Sequence, residues 1–274
     1  MLNVNTNVGA MVALQYLNKT TAELQTTQNH INSGLKIATA KDNGAIFAIA
    51  QNMRGDVAAF NTVSDSLNRA ISATDVAMSA GQTVSDLLVE MKGKAVAAAD
   101  VSLDTASRDA LNEDFEALRD QIGNILENAT FNGVNLTDGT SSSLTAIVSA
   151  DGTSTITIDG EDMSLSGDIV TISTTGSVAS ATAASTMITT IDESLENVNA
   201  ALARLGSSSK QISIQNEFIS KLIDTLNAGI GNLVDADLAV ESAKLQLLQV
   251  KQQLGVQALS IANSAPSIAL SLFR

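Results

Sequence analysis

The sequence predicts a mainly α protein: a long antiparallel helical bundle or coiled-coil rod, with paired terminal helices and a small β-hairpin insert as its outer domain. Apolar residues recur every three or four positions over most of the 274 residues, but residues 137–175 alternate with period two. Aromatic residues make up only 3% of the chain. A core of Ala, Leu, Ile and Val suits close-packed helices better than a pocketed enzyme.

Composition and charge exclude several classes of function. The formal net charge of −14 disfavours the phosphate contacts of nucleic-acid binding and any attraction to anionic lipid. The chain has no Cys, and no zinc, nucleophile-elbow or phosphate-loop motif is present. The single histidine, His30, is interpreted as an ordinary helix-surface residue. We therefore expect neither an enzyme nor a cofactor or metal site.

The two ends of the chain lack the features of a signal peptide or a membrane span. The first cation is Lys19, so the N-terminus lacks the positive region of a secretory signal. Residues 252–273 carry no charge, but Gln252, Asn263 and Pro266 are among the residues that interrupt this segment, which is too polar to cross a bilayer. We expect a soluble chain without a cleavable signal and without membrane insertion.

Four helices are predicted before the final one. The first ends at Asn32, Ser33 and Gly34, which suit a helix C-cap, and the second runs from about 45 to 99. Asp104 is the expected N-cap of the third helix, and a long fourth helix runs from about 181 to 227. The predicted apolar stripe of the first helix is Ala10, Leu14, Leu17, Thr21, Leu24, Gln28, Ile31 and Leu35. For the second helix it is Phe60, Val63, Leu67, Ile71, Thr74, Met78, Val84, Leu88, Met91 and Ala95.

The insert between the third and fourth helices is predicted as small β-hairpins. Residues 154–159 and 169–174 alternate in hydrophobicity and are separated by Asp-Gly and Gly-Asp dipeptides. The Ser/Thr-rich stretch 137–190 is read as a plain polar surface, with acceptance of O-linked sugar as the alternative. The acidic residues Glu113, Asp114, Glu116 and Asp120, around Arg108 and Arg119, are interpreted as a solvated face with local ion pairs.

The final helix, with Asp235 or Asp237 as its N-cap, carries the most continuous apolar stripe. Its members are Val240, Ala243, Leu247, Val250, Leu254, Ala258, Ile261, Ala265, Ile268 and Leu272. This near-heptad spacing predicts a partner helix, and the N-terminal helix is the candidate, parallel or antiparallel. Residues 1–18 are uncharged like 252–273, although exposed faces of a monomer are normally charged. We therefore expect the terminal helices to be buried against each other and against other copies of the chain.

Several segments resemble bacterial flagellins, specifically the compact alphaproteobacterial type. They are NVNTNVGAMVALQYLN near the start, NSGLKIATAKDNGAIFAIAQNMRG at 32–55, SLNRAISATDVAMSAGQTVSDLLVEMK, the ATFNGVNL turn and the closing SIANSAP and LSLFR. The similarity covers about 1–138 and 181–274. It implies three domains: a terminal-helix core of 1–40 and 235–274, a helical rod of 41–136 and 181–234, and a variable surface β domain of 137–180.

The resemblance implies a structural subunit that self-assembles into the extracellular flagellar filament for swimming motility. It also implies type III export, a chaperone on the C-terminal helix, and contacts with the export apparatus and the filament cap and junction proteins. Free family members have disordered terminal helices that fold on assembly. Repetition of a heterologous contact that does not close into a ring builds such a filament. The predicted polymerisation residues are Leu14, Leu17, Leu24, Ile31, Leu247, Leu254, Ile261 and Ile268.

One family motif is altered in this chain. Flagellins detected by the animal toll-like flagellin receptor carry a segment like LQRVRELAVQ, and the matching stretch here is LLVEMKGKAVA. The motif's key Arg falls at Glu90, its Glu at Gly93 and its second Leu at Lys94. Charge reversal removes a charge-assisted contact and adds repulsion, which predicts weak or absent receptor activation.

Three other functions fit less well. A hook–filament junction protein would share the terminal helices, but such proteins are usually longer and depart from the 32–55 signature. A signalling or regulatory helical bundle would fold as a stable monomer with protected termini. An enzyme comes last because no catalytic set is present.

Overall fold

The computed structural model describes residues 6–141 and 143–271, with side chains as far as residue 264. The helices are α1 (Val8–Ser33), α2 (Gly44–Ala98), α3 (Thr105–Asn128), α4 (Ala181–Val234) and α5 (Leu238–Ser271). The strands are β1 (Thr130–Phe131), β2 (Val134–Asn135), β3 (Ser143–Ile147) and β4 (Thr155–Asp159). The predicted mainly α fold with a small β insert is confirmed.

Three predicted helix ends coincide with observed caps. Gly34 takes φ 71°, and its N–H donates to the carbonyl of His30, which ends α1. Asp104 accepts a hydrogen bond from Ser107 N at 2.7 Å and begins α3. Of the two candidates for α5, Asp237 is the cap, because its Oδ1 accepts from the N–H groups of Ala239 and Val240. Capping residues therefore fixed these boundaries locally.

The contacts divide the chain into two compact units. The first consists of the described parts of Met1–Gly55 and Thr225–Arg274, and the second is Asp56–Asp224. Helices α2 and α4 contribute to both units. The three-domain division with boundaries at 40, 136, 180 and 234 stays a prediction.

The second unit is built on two long helices with a regular heptad seam. Polar and charged contacts join Ser64 to Asn216 and Lys92 to Asp192, so α2 and α4 run antiparallel. Eleven of the buried positions of α2 alternate steps of four and three: Val63, Leu67, Ala70, Thr74, Ala77, Gly81, Val84, Leu88, Met91, Ala95 and Ala98. Those of α4 include Ala184, Ile191, Val198, Leu205, Ile212 and Ile219, each seven residues apart.

The buried seam of α2 differs from its predicted apolar stripe at two places, where a small residue is buried and its larger neighbour is not. Ala70 and Ala77 are buried, whereas the predicted Ile71 and Met78 are half-buried beside them. Small side chains let the helix axes approach. At Gly81 an added Cβ would lie 2.8 Å from Leu202 Cδ2, so no larger residue fits there without displacement. Choosing the larger side chain at each turn therefore shifted the predicted stripe by one residue.

The β insert confirms one of the two predicted alternating segments. Strands β3 and β4 pair antiparallel, and Asn132 and Gly133 form the tight turn between β1 and β2 with φ of 50° and 80°. Residues 169–174 are not a strand, since only Val170 forms an isolated bridge, to Leu165. Here Thr171 N donates to Ser194 Oγ of α4 at 3.1 Å instead of to a neighbouring strand. Burial of Ile169, Val170 and Ile172 holds the segment as an irregular chain.

The acidic surface of α3 forms local ion pairs, as predicted for two of its members. Asp114 binds Lys94 at 2.6 Å, and Asp120 binds its neighbour Arg119 at 2.8 Å. Arg108 does not join them. Its guanidinium donates to the carbonyls of Ala98, Asp100 and Leu103 and so closes the C-terminal end of α2.

Candidate assembly surface

Helices α1 and α5 of the first unit pair antiparallel. Asn7 Nδ2 donates to the carbonyl of Ala262 at 2.7 Å at one end of the pair. At the other end His30 Nδ1 lies 3.2 Å from Glu241 Oε1. The sequence was compatible with parallel and with antiparallel pairing. Because residues late in α1 contact residues early in α5, the pairing is antiparallel.

The turn that follows α1 is joined to the end of α4 by main-chain bonds. Leu35 forms an antiparallel bridge with Asp235, and the N–H of Lys36 donates to the carbonyl of Val234 at 2.8 Å. The N–H of Ala236 donates back to the carbonyl of Gly34 at 2.9 Å. Burial of Ile37 and Val234 accompanies these bonds. The junction fixes where α5 begins relative to the end of α1, and this sets the pairing of the two helices.

The surfaces by which α1 and α5 face each other, called here the inner seam, follow strict heptad spacing. On α1 the inner seam consists of Ala10, Ala13, Leu17, Thr20, Leu24, Thr27 and Ile31. On α5 it consists of Glu241, Leu245, Leu248, Gln252, Gly255, Leu259 and Ala262. An added Cβ at Gly255 would lie 3.2 Å from Leu17 Cδ1, so the backbone of α5 passes close to α1 there. Small residues again permit the close approach of two helices.

The apolar stripe predicted on α5 does not face α1, which corrects the expectation that the N-terminal helix covers it. Leu247, Leu254 and Ile261 are 53%, 63% and 61% exposed, while Leu248 is 2% exposed. Two heptad patterns interleave on α5, and the more apolar one points outward. The inward pattern contains the polar residues Glu241 and Gln252, and the sequence analysis missed it for that reason. The feature of the sequence that could have indicated it is Gly255, because a glycine allows two backbones to approach closely.

The predicted residues of α1 divide between the two sides of the helix. Leu17, Leu24 and Ile31 are half-buried in the inner seam, whereas Leu14 is 47% exposed and Thr21 is also exposed. The inner seam contains Ala13 and Thr20, whereas the predicted stripe contained Leu14 and Thr21. Ile268 of α5 lies outside the residues whose side chains are described. Of the eight predicted polymerisation residues, four therefore lie outward and three inward.

Outside the inner seam both helices expose large apolar side chains, and these are called together the outer face. On α1 it consists of Val8, Met11, Val12, Leu14 and Tyr16. On α5 it consists of Leu238, Val240, Leu247, Val250, Leu254, Val256 and Ile261. The α1 members lie in the uncharged stretch that ends at Asn18, and three of the α5 members follow Lys251 in the other. Extended exposed apolar patches on soluble chains mark interaction sites.

The three altered receptor-motif positions lie on α2 in the second unit. Glu90 and Gly93 are exposed. Lys94 is half-buried and donates to Asp114 Oδ2 at 2.6 Å, and this hydrogen bond raises the pKa of Lys94. Glu90 therefore presents a negative charge at the surface, and Lys94 is held by α3.

Neither a membrane span nor a metal centre is found in the part of the chain that the structure describes. No helix there is both long and apolar enough to cross a bilayer. Among the same residues, no three His, Asp or Glu side chains are grouped as metal ligands.

Comparison with known sequences covers nearly the whole chain. The family described as the bacterial flagellin N-terminal helical region matches residues 4–142, and the flagellin C-terminal helical region matches residues 188–273. Flagellin FljK of Caulobacter vibrioides is 54% identical, over 99% of this chain and 98% of its own length. A flagellin of Brucella melitensis is 36% identical over the full length of both chains.

Solved structures share the fold at low sequence identity. A Vibrio parahaemolyticus protein, provisionally identified as flagellar hook-associated, matches 71% of this chain and 100% of its own with TM-score 0.60 and 14% identity. Bacillus cereus flagellin matches 55% of this chain and 86% of its own with TM-score 0.50 and 22% identity. The fold is thus common to a flagellin and a protein provisionally identified as hook-associated. High sequence identity over the full length of the chain, in contrast, is found with flagellins. The chain belongs to the bacterial flagellin family, in its compact alphaproteobacterial type, and is a structural subunit of the flagellar filament.

Proposed function

We propose that this subunit polymerises by burying the outer face of the α1–α5 pair against the α1–α5 pairs of other copies. The observation that carries the proposal is the exposure of Leu247, Leu254 and Ile261 on one side of α5, each seven residues from the next. A stripe at this spacing suits contact with another helix. Because the inner seam already occupies the other side of α5, the partner of the outer face has to come from another chain.

The energetics favour such burial. Removing apolar surface from water contributes about 25 cal/mol per Å², and a buried Leu or Ile side chain contributes about 1.5–3 kcal/mol. The uncharged stretches add no desolvation penalty for ionised groups. A contact between different patches of successive copies extends without closing, which gives a filament rather than a ring.

The domain arrangement and the partners complete the proposal. Residues 1–40 and 235–274 form the filament core, 41–136 and 181–234 the rod, and 137–180 the outer surface. The subunit leaves the cell by the flagellar export apparatus with a chaperone on its C-terminal helix, and joins the extracellular filament between junction and cap proteins. The family membership supports this arrangement.

Substitution of Leu254 or Ile261 by Asp tests the proposal. The carboxylate is harmless in the free chain because both positions are exposed, but burying it unpaired in a filament costs several kcal/mol per subunit. Seeded elongation, followed by light scattering and electron microscopy, should therefore fail.

The matched control is Ile147→Asp, an exposed position of β3 in the surface insert, which should elongate normally. Normal filaments from Leu254→Asp and Ile261→Asp would overturn the proposal.

A further inference from the structure

The β3–β4 hairpin of the insert has one strand edge whose main-chain groups point away from the hairpin. In an antiparallel pair, opposite residues alternate between hydrogen-bonded and non-hydrogen-bonded positions. Val148 N donates to the carbonyl of Ser154 at 3.0 Å, so the bonded partners in β3 and β4 are the even-numbered residues. The N–H and C=O groups of Thr155, Thr157 and Asp159 therefore point toward the free edge of β4.

The two edges of the hairpin differ in what they meet. On the β3 side α2 lies against the edge, since Ile147 N donates to Ser66 Oγ at 3.3 Å. On the β4 side Thr155, Thr157 and Asp159 are exposed, and within the described residues nothing hydrogen-bonds to their outward main-chain groups. A cleft of about 260 Å³ between the end of β4 and α4 leaves space for an added strand. The edge of β4 is therefore open to pairing.

The sequence of this edge lacks the features that normally protect an exposed strand. Lys or Pro on the edge, a β-bulge or a covering helix prevents pairing with another chain. Residues 153–158 read TSTITI, without charge, Pro or Gly, and the register of 155–159 with β3 contains no bulge. Six-residue segments of high β-propensity and low charge are those that pair with copies of themselves. A hairpin of two strands is also only marginally stable, so a further strand stabilises it.

The chemistry of the edge favours a second copy of this chain as its partner. A strand can pair antiparallel with an identical strand about a two-fold axis, so that both copies contribute the same residues. With Thr157 on the axis, the two Thr157 residues lie opposite each other, and Thr155 lies opposite Asp159 of the other copy. Cross-strand Thr pairs are favourable, whereas like charges placed directly opposite are not. In this register the two Asp159 carboxylates do not face each other.

Moving the axis by one residue in either direction brings in N–H groups that are already bonded. An axis at Ile156 would engage Thr153, whose N–H donates to the Asp151 carboxylate at 3.1 Å. An axis at Ile158 would engage Glu161, whose N–H donates to a main-chain carbonyl at 2.7 Å. The bonds that hold the chain on either side of β4 therefore restrict the symmetric pairing to one register.

We propose that β4 of one copy pairs antiparallel with β4 of a second copy, with Thr157 on the two-fold axis, and so joins two subunits through a four-stranded sheet. This isologous contact closes after two copies, whereas filament growth repeats a heterologous contact in one direction. Equivalent neighbours in one filament are not related by a two-fold axis, so the strand contact joins free chains or subunits of different filaments. The contact is separate from the outer face of α1 and α5.

Disulfide cross-linking of the full-length chain, without seeds, tests the register. The chain has no Cys, so Thr157→Cys and its matched control Thr155→Cys each carry a single, exposed thiol. The Cα atoms of two paired 157 residues would lie about 5.5 Å apart, within the range that a disulfide spans. Those of two 155 residues would lie about 14 Å apart. At about 0.15 M ionic strength, which screens the repulsion between acidic chains, an oxidant should link Thr157→Cys at least about tenfold faster than Thr155→Cys.

Sedimentation of two further variants tests whether the main chain makes the contact. Thr157→Pro removes an outward N–H but no bond of the hairpin, so it should weaken dimerisation at least about tenfold. Thr157→Val keeps the N–H and the strand propensity and should dimerise like the parent chain. Hydrogen exchange of residues 143–148 verifies that the hairpin is intact in both variants.

Equal cross-linking of the two cysteine variants would overturn the proposal. Equal dimerisation of Thr157→Pro and Thr157→Val would do so as well, and so would a parent chain that stays monomeric at every salt concentration. Filament growth is not measured because no seeds are added, so these results are independent of whether the outer face drives polymerisation.

Discussion

Glu90, Gly93 and Lys94, the positions that depart from the receptor motif, are predicted to change recognition without changing the fold. All three lie within α2, which is uninterrupted from Gly44 to Ala98. Lys94 contributes to the bundle by binding Asp114 of α3, whereas Glu90 contributes only a surface charge. The substitutions therefore bear on what a partner meets at the surface and not on whether α2 forms.

We expect this chain to activate the toll-like flagellin receptor weakly or not at all in a reporter-cell assay. Replacing Glu90 by Arg, Gly93 by Glu and Lys94 by Leu should raise activation at least about tenfold, because an Arg anchor at an interface is worth about 2 kcal/mol or more. The circular dichroism of this triple variant should match that of the parent chain. Full potency of the unaltered chain would contradict the expectation.

At the scale of elements, the ends of helices could be predicted from the sequence better than their faces. Gly34, Asp104 and Asp237 act through hydrogen bonds to residues within four positions, so each cap is visible locally. The inward side of α5 depends on a partner about 200 residues away, and two heptad patterns compete for it. Size and hydrophobicity alone favoured the one containing Leu247, although the structure buries the one containing Leu248.

The insert shows the same limit. Residues 155–159 form a strand because β3 lies close in sequence and supplies its partner. Residues 169–174 alternate similarly, yet their main chain binds Ser194 of α4. The alternation of nearby residues cannot predict this contact. Period-two patterns predicted a strand where a neighbouring strand existed. The same pattern predicted a strand wrongly where the main chain bonds to a helix and not to a neighbouring strand.

The molecule as a whole carries its apolar residues on two kinds of surface. The second unit closes its heptad seam within the chain, with Leu88 of α2, Phe115 of α3 and Ile191 of α4 fully buried in one core. The first unit buries only the inner seam, and the outer face stays exposed. A subunit with one completed core and one unfinished surface is suited to folding alone and then adding to copies of itself. We infer that assembly completes the burial that the single chain leaves undone.

Burial of the outer face on assembly is the central claim, and a single thiol measures it directly. The chain has no Cys, so Leu254→Cys introduces a unique reactive group on that face, and Ile147→Cys provides the control in the surface insert. We predict that a thiol reagent labels both variants in the free chain but labels only Ile147→Cys in seeded filaments. Equal labelling of Leu254→Cys before and after assembly would contradict the account.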